Sequence, residues 1–308
     1  MWFAQSQKSS LLVSIFPIWQ TLGVLQLVYE NTILLTMSEQ NAGKVNQLLG
    51  LLGDTTLVTS AWLRAHGYAG NLVARYVASG WLVSPARGVY QRAGGVLRWD
   101  GVVNTLQLLE AMAVHVGGRF ALVWQGHEHT LRLGEAATVT LYGAPKPPGW
   151  VGKLVLPEHV DYRGTGPFAA FKSDFVTAPD DVLHKHGLKR ITISTDTKPV
   201  VMAMPERAML ELCDEPPSAA LVYEANALMQ GLATLRPGLL GSLLRECRSI
   251  KAKRLFLALA DRHHHAWLSR VDLDGVSLGS GKRSLVSGGR LHPTYQITLP
   301  ADLDEQLG

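Results

Sequence analysis

The clearest pattern of apolar and polar positions lies over residues 59–92, where a helical segment, a glycine and a second helical segment follow one another. The first helix is predicted over 61–65, because the hydroxyl groups of Thr59 and Ser60 can cap its free amides. Gly67 can adopt the left-handed conformation that a tight turn between helices needs. The pattern therefore predicts two helices joined by a short turn.

The second helix is predicted from about residue 69 to residue 79, with Gly80 after its last turn. Its apolar positions share one face at helical spacing: Leu72, Val73, Tyr76 and Val77. A β-hairpin is predicted next, with strands over 81–83 and 89–92 and a Pro-Ala-Arg-Gly turn over 85–88. Two helices followed by a hairpin predict a winged helix-turn-helix.

This motif binds duplex DNA by placing its second helix in the major groove, which is about 12 Å wide. Three residues are predicted to face base edges: Tyr68, Asn71 and Arg75. Three others are predicted to face phosphates: Arg64, Arg87 and Arg92. The alternative is a winged helix that contacts proteins. Residues 37–95 carry only five Lys/Arg against two Asp/Glu, so we expect a dimer or cooperative binding at repeated half-sites.

Helical and strand patterns also alternate along the rest of the chain, so the predicted fold class is α+β. A short apolar helix over 45–52 is expected to complete a winged domain spanning 37–95. Residues 96–308 are predicted to form a mixed α/β, helix-rich domain that can divide into two subdomains near residue 200. Its predicted helices cover 101–112, 117–126 and four segments between 205 and 263, and its predicted strands cover 137–143, 153–157, 189–195 and parts of 271–299.

Residues 1–36 are apolar, but polar residues and Pro17 interrupt every run before it reaches the roughly 18 residues of a membrane span. The segment has neither the basic start nor the cleavage pattern of a signal peptide. Met37 opens a polar sequence typical of a protein start, so we expect residues 1–36 to be a disordered leader or a mis-called start. An intact mass of the native protein that includes residues 1–36 would contradict a start at Met37. A membrane anchor is the alternative.

Composition is that of an ordinary globular protein, with 47% hydrophobic and 18% charged residues among 308. The net charge of +4 permits nucleic-acid binding without requiring it. Cys213 and Cys247 have neither metal-ligand nor redox-pair spacing, which predicts buried thiols in a reducing cytoplasm.

Several short motifs are similar to metal or catalytic sites but lack the necessary spacing. The consecutive histidines over 263–265 cannot converge on one ion from a helix end, and those of 127–129 lack the i, i+4 spacing of a helical zinc pair. The Gly-Ser-Gly-Lys run over 279–282 lacks the first glycine and the following helix of a phosphate loop. Asp272 and Asp274 share a strand face as a pair of carboxylates would, but a turn is the simpler explanation for them. We expect no metal, no cofactor and no enzymatic activity.

Residues 245–290 carry ten Lys/Arg against four Asp/Glu. On the helix predicted to begin at residue 250, Lys251, Arg254 and Arg262 fall within one stripe. This region is either a solvated rim or a second surface for RNA, DNA or an acidic partner.

Five segments carry a family resemblance: TSAWLRAHGYAGNLVARYVASGWLVSPARGVYQR, VHVGGRFALVWQGHEH, PERAMLELCDE, IKAKRLFLALADRHHHAWL and LGSGKRSLVSGG. As an ordered set over roughly residues 44–300, they resemble the AbiEi antitoxins of type IV toxin–antitoxin, or abortive infection, systems. Residues 1–36 have no counterpart in that resemblance.

The resemblance implies a cytoplasmic protein whose winged domain represses its own operon at inverted repeats, while a C-terminal antitoxin domain counteracts a nucleotidyltransferase-like toxin without needing a stable complex. The implied partners are double-stranded operator DNA, the cognate toxin and a second copy of the chain on DNA. DNA contact is carried over to Ser60, Arg64, Tyr68, Asn71, Arg75, Arg87 and Arg92. The antitoxic surface is carried over to Lys251, Lys253, Arg254, Arg262, Lys282 and Arg283.

Two other functions stay open at this point. One is a winged-helix transcriptional repressor with a ligand- or partner-sensing C-terminal domain. The other is an enzyme acting on nucleic acid, which would need clustered acidic residues or a metal site in the C-terminal half. A nucleotidyltransferase gene immediately downstream favours the antitoxin.

Overall fold

The computed structural model describes residues 43–127, 137–194 and 197–303. The chain divides into two compact units, residues 1–52 and residues 53–308. In the first unit the described part is helix α1 over residues 43–51, which confirms the short helix predicted there. The predictions for residues 1–36 lie outside the described residues.

The second unit begins with the predicted helix-turn-helix and wing, which we call the winged module (residues 57–92). Its elements are, in order, β1 (Leu57–Thr59), α2 (Ser60–Ala65), α3 (Gly70–Ala78), β2 (Leu82–Ala86) and β3 (Val89–Arg92). The three strands form an antiparallel sheet in the order β1-β3-β2. Gly67 and Gly80 follow the two helices with φ angles of +79° and +72°, which confirms the left-handed conformation expected at Gly67.

A mixed five-stranded sheet with the order β6-β5-β4-β8-β7 lies at the centre of the following part. Its strands are β4 (Ala113–Val116), β5 (Thr138–Ala144), β6 (His159–Tyr162), β7 (Leu188–Ile191) and β8 (Val200–Ala203). β4 pairs antiparallel with β5 and parallel with β8. Every residue of β4 and β8 is buried, as expected for strands covered on both faces.

Helices surround this sheet and dominate the C-terminal part, as predicted. They are α4 (Trp99–Asn104), which continues as a π-helical turn over Thr105–Leu109, α5 (Gly118–Trp124), α6 (Asp180–Lys185), α7 (Pro205–Cys213), α8 (Ala219–Gln230), α9 (Pro237–Glu246) and α10 (Ile250–Arg262). Both α7 and α9 begin with proline, whose missing amide costs nothing at a first helical position. A hairpin of β9 (Arg290–Leu291) and β10 (Thr298–Leu299) follows.

The strand predicted over 153–157 is wrong. A short 3₁₀ turn, Val151–Lys153, ends at the first residue of this segment, Val155 is 88% exposed, and the strand that extends the sheet starts later, at His159. Apolar residues of this segment pack on the core without pairing, so their alternation imitates a strand. The strand predicted over 189–195 exists but ends at Ile191.

None of the helices in the described part of the chain has the length and apolar surface that crossing a bilayer requires. The domain boundaries near residues 95 and 200 remain predictions.

Candidate nucleic-acid interface

The start of helix α2 is fixed by two hydroxyl residues. The Thr59 hydroxyl accepts a hydrogen bond from the Trp62 amide at 3.1 Å, as the predicted N-cap, and donates to Glu110 Oε1 at 2.7 Å. The amide and the hydroxyl of Ser60 both donate to the Gly88 carbonyl oxygen, at 2.8 and 3.3 Å. Because Gly88 lies in the turn of the wing, Ser60 ties α2 to the wing.

Helix α3 turns an apolar face inward and leaves the opposite face open. Leu72, Val73 and Tyr76 are buried, whereas Val77, predicted to share their face, is 36% exposed. The open face consists of exposed residues at helical spacing: Gly70, Asn71, Ala74, Arg75 and Ala78. Three of these five are glycine or alanine, so the helix backbone can approach a groove closely. Sequence reasoning named the polar pair and missed the small residues, although their spacing on that face was visible.

Tyr68 does not belong to this open face. It lies in the turn before α3 and is 5% exposed. Its side chain is therefore in the core and cannot face base edges, contrary to the expectation from the sequence.

The four arginines assigned to DNA contact in the winged module are all exposed. Arg64 and Arg75 lie in the last turns of α2 and α3, and Arg87 lies at the turn of the wing. These three have no carboxylate partner among the residues that the structure describes. Arg92 Nη1 lies 3.6 Å from Asp54 Oδ1, but both side chains are about half exposed or more, at 49% and 64%. Such a surface pair is weak and leaves the arginine able to contact phosphate.

The winged module is attached to the following helix by buried hydrogen bonds that the sequence did not reveal. Thr105 Oγ1, in the π-helical turn, accepts from the Leu57 amide at 3.0 Å and lies 2.9 Å from the Leu57 carbonyl oxygen. Gln91 Nε2 donates to the Asp54 and Val96 carbonyl oxygens, at 3.0 Å each. The rest of the unit thus fixes the sheet that supports α3.

Two family models match the chain, and they settle its family. Residues 41–133 match "Transcriptional regulator, AbiEi antitoxin N-terminal domain", and residues 136–300 match "Transcriptional regulator, AbiEi antitoxin, Type IV TA system". The chain belongs to the AbiEi family of antitoxins and transcriptional regulators of type IV toxin–antitoxin systems. The resemblance seen in the sequence is thereby confirmed.

Among solved structures, this AbiEi family member is similar to the crystal structure of the RV2827C protein from Mycobacterium tuberculosis, with a TM-score of 0.51 and 16% identity. The alignment covers 88% of this chain and 94% of that chain, and at this identity it supports the fold alone. No match is found among the curated proteins.

The basic stripe on α10 is not an open surface. Lys253 and Arg254 are each 3% exposed, and they belong to a continuous buried run over residues 252–260 of α10. Lys251 Nζ donates to the carbonyl oxygen of Asp214 at 2.7 Å, and also to that of Glu215. The predicted rim and the predicted ligand surface are therefore both wrong for this helix.

Two arginines of the assigned antitoxic surface form hydrogen bonds inside the fold. The Arg254 guanidinium donates to carbonyl oxygens of the C-terminal segment, and Arg262 Nη2 donates to the Leu303 carbonyl oxygen at 2.6 Å. Of the six residues assigned to that surface, Lys282 and Arg283 are exposed.

The consecutive histidines close the end of α10 on α8. His263 Nε2 donates to the Asn226 carbonyl oxygen at 3.1 Å, and His265 Nε2 donates to the Met229 carbonyl oxygen at 2.7 Å. The turn predicted at Asp272 is confirmed, since its Oδ1 accepts from the Asp274 amide at 3.0 Å. Among the described residues, which exclude Glu128 and His129, no cluster of three His, Cys, Asp or Glu could hold a metal ion.

A buried ionic network, which sequence reasoning missed, joins α7 to β4. Glu211, at 0% exposure, accepts from His115 Nε2 at 2.8 Å, from Arg207 Nε at 2.7 Å and from the Gly118 amide at 3.1 Å. A Cβ at Gly117 would collide with Glu211 Oε2, which explains one glycine of the Val-His-Val-Gly-Gly run.

The protonation states within this network follow from burial and from the partners. Burial opposes ionisation of Glu211, but the electrostatic interactions and hydrogen bonds with His115 and then with Arg207 outweigh it and lower the pKa of the carboxyl. Burial lowers the pKa of His115 below its usual value of 6.5, and Glu211 only partly offsets this. The network therefore holds a carboxylate, a guanidinium and a neutral imidazole.

Proposed function

We propose that this protein represses its own operon by binding inverted-repeat duplex DNA through the winged module, and that it counteracts a nucleotidyltransferase-like toxin through the rest of the chain. The observation that carries the DNA-binding part is the open face of α3, which combines Asn71 and Arg75 with small residues. Arg64 on α2 and Arg87 on the wing flank this helix, and both are exposed and lack a carboxylate partner among the described residues. Membership in a family of regulators and antitoxins supports both halves of the proposal.

The residue types suit distinct roles at a DNA duplex. Arg75 can donate two hydrogen bonds to a guanine and Asn71 can pair with an adenine, while the alanine methyl groups can contact thymine. Arg64, Arg87 and Arg92 can contact phosphates, which position the protein without reading sequence. Because the module carries few cations, two copies on repeated half-sites would supply the affinity that one copy lacks.

The antitoxin half is supported by family membership and, at the surface, by Lys282 and Arg283. A ligand-sensing repressor from another system would share the winged module but would not relieve toxicity. Co-expression with the neighbouring toxin gene therefore separates the two functions, since only the antitoxin restores growth.

The double variant Arg75→Ala/Arg87→Ala tests the division of labour in the full chain. Repression of a reporter under the protein's own promoter should fall, because the loss of a bidentate guanine contact alone costs about 1–3 kcal/mol. Growth rescue by co-expression should remain. Arg270→Ala removes an exposed arginine outside the module and serves as the matched control. Unchanged repression by the double variant, or loss of rescue at normal protein level, would contradict the proposal.

A further inference from the structure

A single buried arginine organises the glycine-rich loop over residues 279–283. Arg254 Nε donates to the Leu278 carbonyl oxygen at 2.7 Å, Nη2 donates to Gly279 at 3.0 Å, and Nη1 donates to Gly281 at 2.6 Å. Nη1 also lies 3.1 Å from the Gln296 carbonyl oxygen. The carbonyl groups on the inner side of the loop are thus directed at one guanidinium, which is 3% exposed.

This arrangement determines where the loop amides point. In a planar trans peptide, the N–H is directed opposite to the carbonyl of the preceding residue. The amides of Gly279, Ser280 and Lys282 therefore point away from Arg254, toward the outer side of the loop. None of these three amides has a hydrogen-bond partner among the residues that the structure describes.

Two glycines set the backbone conformation of the loop. Gly279 and Gly281 have φ angles of +66° and +73°, and they alternate with Ser280 and Lys282, whose φ angles are not positive. The glycines are required because other residues are strained at these angles.

Two cations stand beside the outward amides. Lys282 and Arg283 are exposed and have no carboxylate partner in the described part of the chain. Arg283 is held in register, since its amide donates to Gln296 and its carbonyl oxygen accepts from Thr298, at 2.9 Å each. The loop therefore presents amide donors and positive charge on one exposed strip.

We propose that the 279–283 loop binds the phosphates of a polynucleotide backbone. All five of its residues are exposed, so the loop does not enclose and desolvate a small anion. A polyanion instead gains affinity at each phosphate through the release of counterions. The loop lies outside the winged module, so its phosphate contacts would add to those proposed there and do not depend on operator recognition.

The parent for this test is the full-length protein with Arg75→Ala/Arg87→Ala, which weakens the proposed DNA contacts of the winged module. The test compares this parent with the same protein carrying Lys282→Ala/Arg283→Ala in addition. The probes are a fluorescent DNA duplex of unrelated sequence and an RNA strand of the same length, titrated at several salt concentrations. For at least one probe, affinity should fall, and the slope of log K against log salt should decrease in magnitude by about one to two. The control pair Lys172→Ala/Arg270→Ala removes two exposed cations elsewhere and should leave both quantities unchanged.

Ser280→Pro separates the amides from the side-chain charges, because it removes one outward N–H and no charge. It should weaken the same probe roughly two- to tenfold, the effect of one hydrogen bond. Circular dichroism verifies that each variant is folded. If Ser280→Pro is not folded, the result for Lys282→Ala/Arg283→Ala, which changes only exposed side chains, decides whether the loop binds the probes. Unchanged affinity and salt slope for both probes would overturn the proposal. So would direct binding of inorganic phosphate that Lys282→Ala/Arg283→Ala abolishes, at a loop that binds neither probe, since the loop would then be a small-anion site.

Discussion

At the scale of single residues, the contact with the clearest energetic consequence is the ion pair between Arg207 and Glu211. The two side chains are 6% and 0% exposed, so each charge depends on the other for compensation. Arg207→Leu should destabilise the protein by about 3–5 kcal/mol, because it leaves a buried carboxylate without its guanidinium. Urea denaturation measures this change.

A second pair at the same helical spacing provides the control. Lys185 and Asp181 are also four residues apart, but their side chains are 75% and 70% exposed. Lys185→Ala should change the free energy of unfolding by less than about 0.5 kcal/mol. Equal effects of the two substitutions would mean that burial does not govern the Arg207 pair.

The arginines also show what sequence could not supply at this scale. Arg75 and Arg254 each follow helical spacing on a predicted helix, and both were assigned to a nucleic-acid or partner surface. Arg254 instead faces carbonyl groups of a segment more than 20 residues away in the chain. Its neighbours on α10 do not reveal that contact, because only the tertiary fold brings the segment to it.

At the scale of elements, α7 and β4 are joined by a histidine whose ionisation depends on folding. Burial lowers the pKa of His115 in the folded protein, so the unfolded chain binds more protons below its ordinary pKa near 6.5. The neutral histidine therefore makes its full contribution to the free energy of unfolding above about pH 6.5. That contribution is lost as the pH falls below this value, at up to about 1.4 kcal/mol per pH unit.

His115→Gln tests this dependence, because glutamine can still donate to Glu211 but does not titrate. Urea denaturation across a series of pH values should show a shallower loss of stability on acidification in the variant than in the parent. Identical pH dependence would show that His115 does not carry a depressed pKa.

The elements themselves were predictable where local signals were strong. Prolines, glycines and helical periodicity located α2, α3 and α7 to α10, because these signals act within a few residues. Strand β1 has three residues, too few to show a period of two, and exists because β3 pairs with it. The strand wrongly predicted over 153–157 is the opposite case. Its apolar residues alternate as in a strand, but no neighbouring strand among the described residues pairs with them.

At the scale of the whole molecule, the winged module is continuous with the part that follows it within residues 53–308. Thr105, which follows the module, accepts a hydrogen bond from the backbone amide of Leu57 in β1. Gln91 in β3 donates to the carbonyl oxygen of Asp54, which precedes the module. The N-terminal family model likewise extends past the module, from residue 41 to residue 133. Local sequence patterns placed a domain boundary near residue 95, because the hydrogen bonds from Thr105 and to Asp54 join residues far apart in the chain and leave no local signal.

Directed DNA cleavage tests whether the open face of α3 lies in a DNA groove, as we propose. Ser79→Cys places an exposed thiol just after α3 for attachment of an iron chelate that cuts nearby DNA. The chain's own cysteines are buried, and burial raises the pKa of Cys247 to about 11, so labelling favours the new position. Ser173→Cys, at an exposed position outside the module, is the control.

The Ser79→Cys conjugate should cut the DNA upstream of the protein's own gene in two symmetric clusters, one in each half of an inverted repeat, while the Ser173→Cys conjugate should not. Cleavage that is absent, or no different from that of the control conjugate while the protein is bound, would contradict the proposal.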